Sequence, residues 1–547
     1  MKKYYPIVAF TLITGALRAQ DSIGLSDLRS AEKVIGLHFT PVKEDSILGG
    51  LQNNLQLYRY LHEQNLYNSV PLSLSFDPLL PGTPYDRKQM PLQWQIPAAV
   101  DLPSNRNELA WYSIPELASL IRGRKISSVE LTTFFLDRLK RYGPGLHCVI
   151  QLLEDSAMAQ ARRADADLAN GIYRGPLQGV PYGIKDLFAV KGSHTTWGTP
   201  PYKDQVIAED AYVARRLAEA GAVLLAKLSL GELAMDDVWF GGLTRNPWRP
   251  STGSGGSSAG SAAATAAGLV PFAIGTETYG SIVDPSMRCG ATGLRPTFGS
   301  VARTGCMALC WSSDKVGPIC RSAGDAAIVF AYIHGGDSVD ASSRTMPFNY
   351  TGRITLSKLK VAYARNYIDS LPDDSPAKQT LLILRKLGVK PIAVDFPDDL
   401  RGNDLLSLII GVESAAAFDK LTRTNRDDEM VQQNKDRWPN TFRTARFVPA
   451  VEYVNACRMR TAIMRKVDPF IAQYDIIIAP PEAGDQLAIT NLTGNPSVTL
   501  PAGYNPDGTP GSISFIGQLF GEARLLAFAK AFQDATPYNK QHPKGFE

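Results

Sequence analysis

No window of the chain concentrates lysine and arginine, and that lack sets nucleic acid aside as a partner, because phosphate binding needs a basic stripe or run. The 547 residues carry 57 Lys+Arg against 53 Asp+Glu, a formal net charge of +4 at pH 7, so charge points to no partner class. Cysteine is scarce. Six thiols, Cys148, Cys289, Cys306, Cys310, Cys320 and Cys457, are too few for a disulfide scaffold in so long a chain. An oxidising compartment leaves a bridge among Cys306, Cys310 and Cys320 open, whereas Cys148, inside the apolar run HCVIQLL, reads as a core residue. The trio lacks a paired CxxC and a nearby histidine, which argues against a metal site. HExxH, a Walker loop and a dinucleotide fingerprint are all missing, so no metal or nucleotide cofactor is implied. With 44% AVILMFWYC and 20% charged residues, the composition is that of a folded globular protein with a large core.

Residues 1–20, MKKYYPIVAFTLITGALRAQ, place two lysines before an apolar run of about a dozen residues, followed by small residues at Ala16 and Ala19. This is the pattern of a secretory signal peptide over residues 1–19, cut near Ala19, and the run is too short for a spanning helix. A buried N-terminal strand is the alternative. No later run is long and apolar enough to span a membrane, so the expectation is a soluble product, secreted or periplasmic, without stable membrane insertion.

Residues 20–105 read as an N-terminal extension. Asp45 and Ser46 are placed to cap a helix carrying Leu48, Leu51, Leu55 and Tyr58 on one face. Pro71, Pro78, Pro81, Pro84, Pro91, Pro97 and Pro103 then keep the chain extended around the main body. From Ser113 onward helix and strand patterns alternate: ISSVELTTFFLDRLKRYG a capped helix, CVIQLL a strand, DSAMAQARRADADLANG a helix, GVPYGIKDL a strand, DAYVARRLAEAG a helix and AVLLAKLS a buried strand. The alternation predicts an α/β fold with a largely buried sheet.

One stretch has linker composition in the wrong place. STGSGGSSAGS, residues 251–261, runs directly into a small-residue helix and a buried strand, AAATAAGLVPFAIG, which points to backbone approaching a ligand rather than to a tether. The strand ends in TETYGSIVDP, where a second serine follows a glycine on a tight turn. Ser257 and Ser281 therefore bracket one helix–strand unit.

GVPYGIKDLF, GGSSAGSAAATAAGLVPFAIGTETYGSI, CGATGLRPT and NLTGNPSVTLPAG, in that order, resemble the corresponding stretches of the amidase signature family over about residues 106–547. The resemblance implies an α/β/α fold, a large mixed central sheet covered by helices on both faces, and amide cleavage by a serine–serine–lysine triad. By position, Ser281 matches the acyl-forming nucleophile, Ser257 the bridging serine held by a cis peptide after Gly256, and Lys185 the base. Backbone NH groups of Thr278, Tyr279, Gly280 and Ser281 match the oxyanion hole.

Elementary chemistry agrees. A serine hydroxyl needs a base, and none of the six histidines (His38, His62, His147, His194, His334, His542) lies near these motifs. An ordinary lysine is neutral in only about one molecule in 2,500 at pH 7, but burial lowers its pKa by several units, and Lys185 sits in an apolar strand. Ser257, both donor and acceptor, can pass a proton between Ser281 and Lys185. Two rival serine motifs fit less well. GSSAG, with Ser258 as nucleophile, lacks the strand that an α/β-hydrolase elbow requires, and SSDK at Ser312 is followed by Gly317 and Pro318, which break the helix that motif should open.

Where many relatives read GTDTGGSIR, this chain reads GTETYGSIV, with Val283 for arginine and Asp284 next. The departure turns away from small acidic substrates and towards the branch of peptide amidases and exported amidases. The Tyr279 ring is expected near the pocket mouth; Met235, Asp236, Asp237 and Trp239 are expected near the acyl pocket, with Met235, Asp236 and Tyr279 as substrate-binding candidates. Asp314 resembles a position near the family's active site. ESAAAF from Glu413 and FRTARFVPAVEY from Phe442 read as helices of a C-terminal half that shapes specificity. The expected partner is a small-molecule or peptide amide, and oligomeric state stays open. Two alternatives remain: the glutaminase component of a tRNA amidotransferase, and a non-catalytic binding protein that retains the fold.

Overall fold

A computed structural model describes residues 23–64, 66–83, 85 and 88–547. The signal-peptide expectation falls on residues 1–19, outside the described residues. The chain divides into two compact units, one ending at Leu66 and the other spanning Tyr67–Glu547.

In the first unit, α1 (Leu25–Ile35) and α2 (Pro41–Glu63) are joined by an Arg29–Glu44 ion pair of 2.7 Å. Helix α2 starts five residues before the expected Ser46 cap. Pro41, which has no NH to leave unpaired, occupies the first turn, and the Ser46 hydroxyl donates back to the Val42 carbonyl (2.7 Å) instead of capping.

The second unit opens with a stretch, 67–105, whose described residues form no helix or strand, as its prolines predict. Side chains stitch it to distant chain: Asn68 exchanges two 2.8 Å hydrogen bonds with the Ala308 backbone, and Gln89 accepts from the Phe348 NH (2.8 Å) and donates to its carbonyl (3.1 Å).

Eleven strands form one mixed sheet: β1 (Val149–Leu152), β2 (Pro181–Lys185), β3 (Val223–Leu228), β4 (Phe272–Glu277), β5 (Thr292–Arg295), β6 (Lys315–Cys320), β7 (Val361–Ala364), β8 (Ile392–Val394), β9 (Ile476–Ala479), β10 (Ser497–Tyr504) and β11 (Pro510–Gly517). Their spatial order is β1-β3-β2-β4-β6-β5-β10-β11-β9-β7-β8. Parallel pairing joins β3, β2 and β4, and again β9, β7 and β8; the remaining pairs are antiparallel. Strands β2, β3 and β4 are buried along their whole length, which is why they read as continuous apolar runs.

The flanking helices used below are α3 (Ser128–Leu146), α4 (Glu154–Ala169), α5 (Tyr212–Glu219), α6 (Ala259–Ala266), α7 (Val283–Cys289), α8 (Ala323–Ile333), α9 (Gly402–Ala417), α10 (Trp438–Ala445), α11 (Ala450–Ile471), α12 (Gln486–Thr493) and α13 (Glu522–Asp534). Ser127 caps α3 through a reciprocal bond with Glu130, as its sequence predicts. FRTARFVPAVEY is not one helix: α10 ends at Ala445 and α11 starts at Ala450, because Pro449 cannot continue a helix but suits the position just before one. Among the described residues no helix is long and apolar enough to cross a membrane.

Candidate active site

Lys185 is the last residue of β2, fully buried between its neighbours β3 and β4. Its Nζ lies 2.8 Å from Ser257 Oγ, 2.9 Å from Thr276 Oγ1, 3.2 Å from Ser258 Oγ and 3.5 Å from the Thr276 carbonyl. All four neighbours are neutral, so nothing in contact with the ammonium repays its loss of water. Burial pulls its pKa from the ordinary 10.5 down to about 7, against weaker upward pulls from Cys306, Asp314 and Glu277. A neutral amine there keeps two N–H donors for threonine and serine and frees a lone pair to accept from Ser257.

The adjacent Asp186 secures the end of the strand. It pairs with buried Lys227 at 2.5 Å and accepts from the Thr196 NH (2.9 Å) and hydroxyl (2.5 Å). Lys227 Nζ also donates to the His194 carbonyl (3.0 Å) and Thr195 Oγ1 (3.1 Å), so this pair is hydrogen-bonded on both sides.

The Gly-rich loop arrives over Lys185. The Gly256–Ser257 peptide is cis, matching the expectation carried by the resemblance. A Cβ on Gly256 would overlap the Asp236 carbonyl, so only glycine fits. The Gly255 and Gly256 NH groups donate to Asp237 Oδ2 (2.9 Å) and Asp284 Oδ2 (2.8 Å). Ser258 starts α6 but makes no side-chain cap; its hydroxyl accepts from the Thr276 NH (3.1 Å) and donates to the Thr276 carbonyl (3.0 Å). No strand runs directly into Ser258, the stretch 244–257 before it being turn and loop, and its side chain is buried, so no hydrolase elbow forms. Ser312 is likewise committed elsewhere, donating to Glu413 Oε1 at 2.6 Å, and Lys315 starts β6 rather than belonging to a helix.

Ser281 sits on the turn between β4 and α7 and meets the Gly-rich loop through its own carbonyl, which accepts from the Ser258 NH at 3.1 Å. Glu277 braces the turn from below. One carboxylate oxygen accepts from the Ile282 and Val283 NH groups (2.9 and 3.0 Å), and the other from Arg295 (3.1 Å) and Asn491 Nδ2 (2.9 Å). Burial opposes its charge, but Arg295 and Lys315 hold it below the usual carboxylate range. Thr278 is fixed at both ends, its hydroxyl to Asp314 Oδ1 (2.6 Å) and its carbonyl to the Ser313 hydroxyl (2.8 Å). Gly280, at φ +82°, lets the turn close. Among the described residues no acceptor takes the NH of Thr278, Tyr279, Gly280 or Ser281.

Of the three substrate-binding candidates, Tyr279 is about one-third exposed and its hydroxyl bonds to Asn403 at the start of α9. Asp236 reaches the site through its backbone against Gly256, while its carboxylate pairs with Arg437. Met235 packs against the core, and Trp239 is buried with its indole NH on the His147 carbonyl (3.2 Å). All six cysteines are unbridged, including Cys306, Cys310 and Cys320. Sequence reasoning assigned no role to Thr276, Glu277, Arg295, Asn491 or the Asp186–Lys227 pair. The only signal for them was their place inside the quoted motifs.

A family model described as Amidase matches residues 130–526. The chain belongs to the amidase family. Its reaction is accordingly hydrolysis of an amide carbon–nitrogen bond. It is 32% identical over 481 residues to a glutamyl-tRNA(Gln) amidotransferase subunit of Geobacillus kaustophilus, a match covering 79% of this chain and 99% of that one. The X-ray structure of the native peptide amidase of Stenotrophomonas maltophilia superposes with a TM-score of 0.70 at 29% identity, covering 79% of this chain and 98% of that one. A bacterial aryl acylamidase of the amidase signature family shares the fold, with a TM-score of 0.70 at 23% identity over 78% of this chain and 98% of its own.

Proposed function

We propose that this amidase is exported and cleaves its substrate through an acyl-enzyme on Ser281, with Ser257 and Lys185 as the proton relay. The observation that carries the reading is the 2.8 Å contact between Ser257 Oγ and a fully buried lysine that no carboxylate touches. Neutral Lys185 takes the Ser257 proton while Ser257 takes that of Ser281, whose Oγ attacks the carbonyl carbon. The four free NH groups of residues 278–281 offer hydrogen bonds to the resulting oxyanion. Returned through the relay, the proton goes to the departing nitrogen as the C–N bond breaks, and water then hydrolyses the ester on Ser281 by the same path. The substrate class is a small-molecule or peptide carboxamide, supported by likeness to the peptide amidase and by Val283 standing where an arginine would favour acidic groups.

The test is intact mass and peptide mapping after treatment with a fluorophosphonate probe, beside Lys185→Ala and Ser257→Ala. The expected adduct is on Ser281 and requires both other residues. An adduct on Ser258 or Ser312 would overturn the assignment, and none on folded protein would favour the binding-only reading. N-terminal sequencing of the mature chain checks export, the expected first residue being Gln20. The near full-length match to a tRNA amidotransferase component supports a second reading, glutamine hydrolysis within a cytoplasmic complex, which an intact N-terminus and co-purifying partner proteins would favour.

A further inference from the structure

Asp284 touches both serine-bearing segments at once. As the second residue of α7 it is fixed to the Ser281 turn, its own NH donating to the Gly280 carbonyl at 2.7 Å. Its Oδ2 accepts from the Gly256 NH at 2.8 Å, one residue before Ser257. Its Oδ1 is held at 2.5 Å by Arg288, one helical turn along. The contact is close: a Cβ on Gly255 would overlap Asp284 Oδ2 and the Arg288 side chain, so carboxylate and guanidinium lie directly against the loop backbone. Glu482 hydrogen-bonds to the same carboxyl group from the segment between β9 and α12. Burial, first, and the Asp284 charge raise the Glu482 pKa to about 7, and burial raises that of Asp284 as well.

We propose that Asp284 is a positioning residue that sets the spacing of Ser257 from Ser281 by carrying the Gly256 NH on the helix that follows the Ser281 turn. The proposal rests on the reading of Ser257 and Ser281 as relay and nucleophile. The backbone bond from Ser258 to Ser281 joins the loops on the far side of Ser257, so the two contacts straddle that residue. Losing one of them lets Ser257 drift relative to Ser281 while Lys185, at the end of β2, stays in place. A catalytic group displaced by about 1 Å loses on the order of 10²-fold in rate.

Asp284→Ala removes the acceptor. Asp284→Asn keeps an oxygen for the Gly256 NH while deleting the charge. Arg288 is half exposed and can turn to water, so the alanine variant has a route to folding. Measured on a chromogenic ester or anilide, the expected result is kcat lowered about 10- to 100-fold in Asp284→Ala with KM nearly unchanged and the protein still folded. Fluorophosphonate labelling of Ser281 should slow by the same factor, and Asp284→Asn should recover to within about threefold of wild type. Equal damage in both variants, a change confined to KM, or an unaltered labelling rate in the alanine variant would overturn the proposal. Failure of the underlying reading shows separately, as wild-type protein labelled elsewhere than on Ser281 or as full activity in Ser281→Ala.

Discussion

At Lys185 stability and chemistry pull in opposite directions. The lowered pKa means that the folded chain binds this proton less tightly than the unfolded chain, whose lysine titrates near 10.5. Below pH 7 both states are protonated and the full cost of burying a cation falls on the fold; between about 7 and 10.5 the unfolded chain holds the extra proton and stability rises with pH. Lys185→Met should therefore gain most in Tm relative to wild type at pH 6, with the difference shrinking towards pH 10, as calorimetry across that range would show. If neutral Lys185 is the base, as proposed, the same titration sets the rate, and kcat/KM on an activated ester should climb tenfold per pH unit below about 7 and level off above it. A profile falling with rising pH through that range would exclude Lys185 as the base. Ser281→Ala, which removes the proposed nucleophile, should cost on the order of 10⁴-fold or more in kcat.

At the scale of the element, Glu277 makes β4 an active part of the site. It faces Lys315 across the antiparallel pair with β6 and binds the first NH groups beyond the Ser281 turn, so strand register and turn geometry meet in one carboxylate. Glu277→Gln leaves the wholly buried Arg295 without its counter-ion, and breaking such a pair costs about 3–5 kcal/mol. Urea denaturation should show that loss, with kcat falling as the turn loosens. Much of this architecture was legible beforehand: the apolar runs of β2 and β3, the glycine ladder before α6 and the serine after β4 all announce themselves locally. Glu277 meeting Arg295 and Asn491 was not, since those partners are 18 and 214 residues away and hydrogen-bond complementarity leaves no periodic mark. Helix starts erred for a related reason. At α2 a serine and an aspartate carry the cap signature, yet Pro41 upstream opens the helix on backbone grounds alone.

For the molecule as a whole, the division at Leu66 falls inside the expected 20–105 extension, whose second half belongs to the same unit as the candidate site. Lys185, Ser257, Ser281 and every side chain shown bracing them belong to the unit spanning Tyr67–Glu547, and the family match over residues 130–526 lies within it as well. That unit carries its own continuous core across an eleven-stranded sheet. The proline-bearing stretch that follows Leu66 is tied to it by the reciprocal Asn68 and Gln89 bonds, so a truncation must leave those two residues in place. A chain starting at Tyr67 should fold with a cooperative thermal transition and retain kcat/KM to within about threefold, because no group assigned to the reaction is removed. Starting instead at residue 106 exposes the backbone groups of Ala308 and Phe348 that Asn68 and Gln89 now satisfy, and should lower Tm by several degrees. Comparing the two truncations in one melting series separates the contributions. A loss of activity of tenfold or more in a Tyr67 form that melts normally would overturn the expectation that the first unit is dispensable for the reaction.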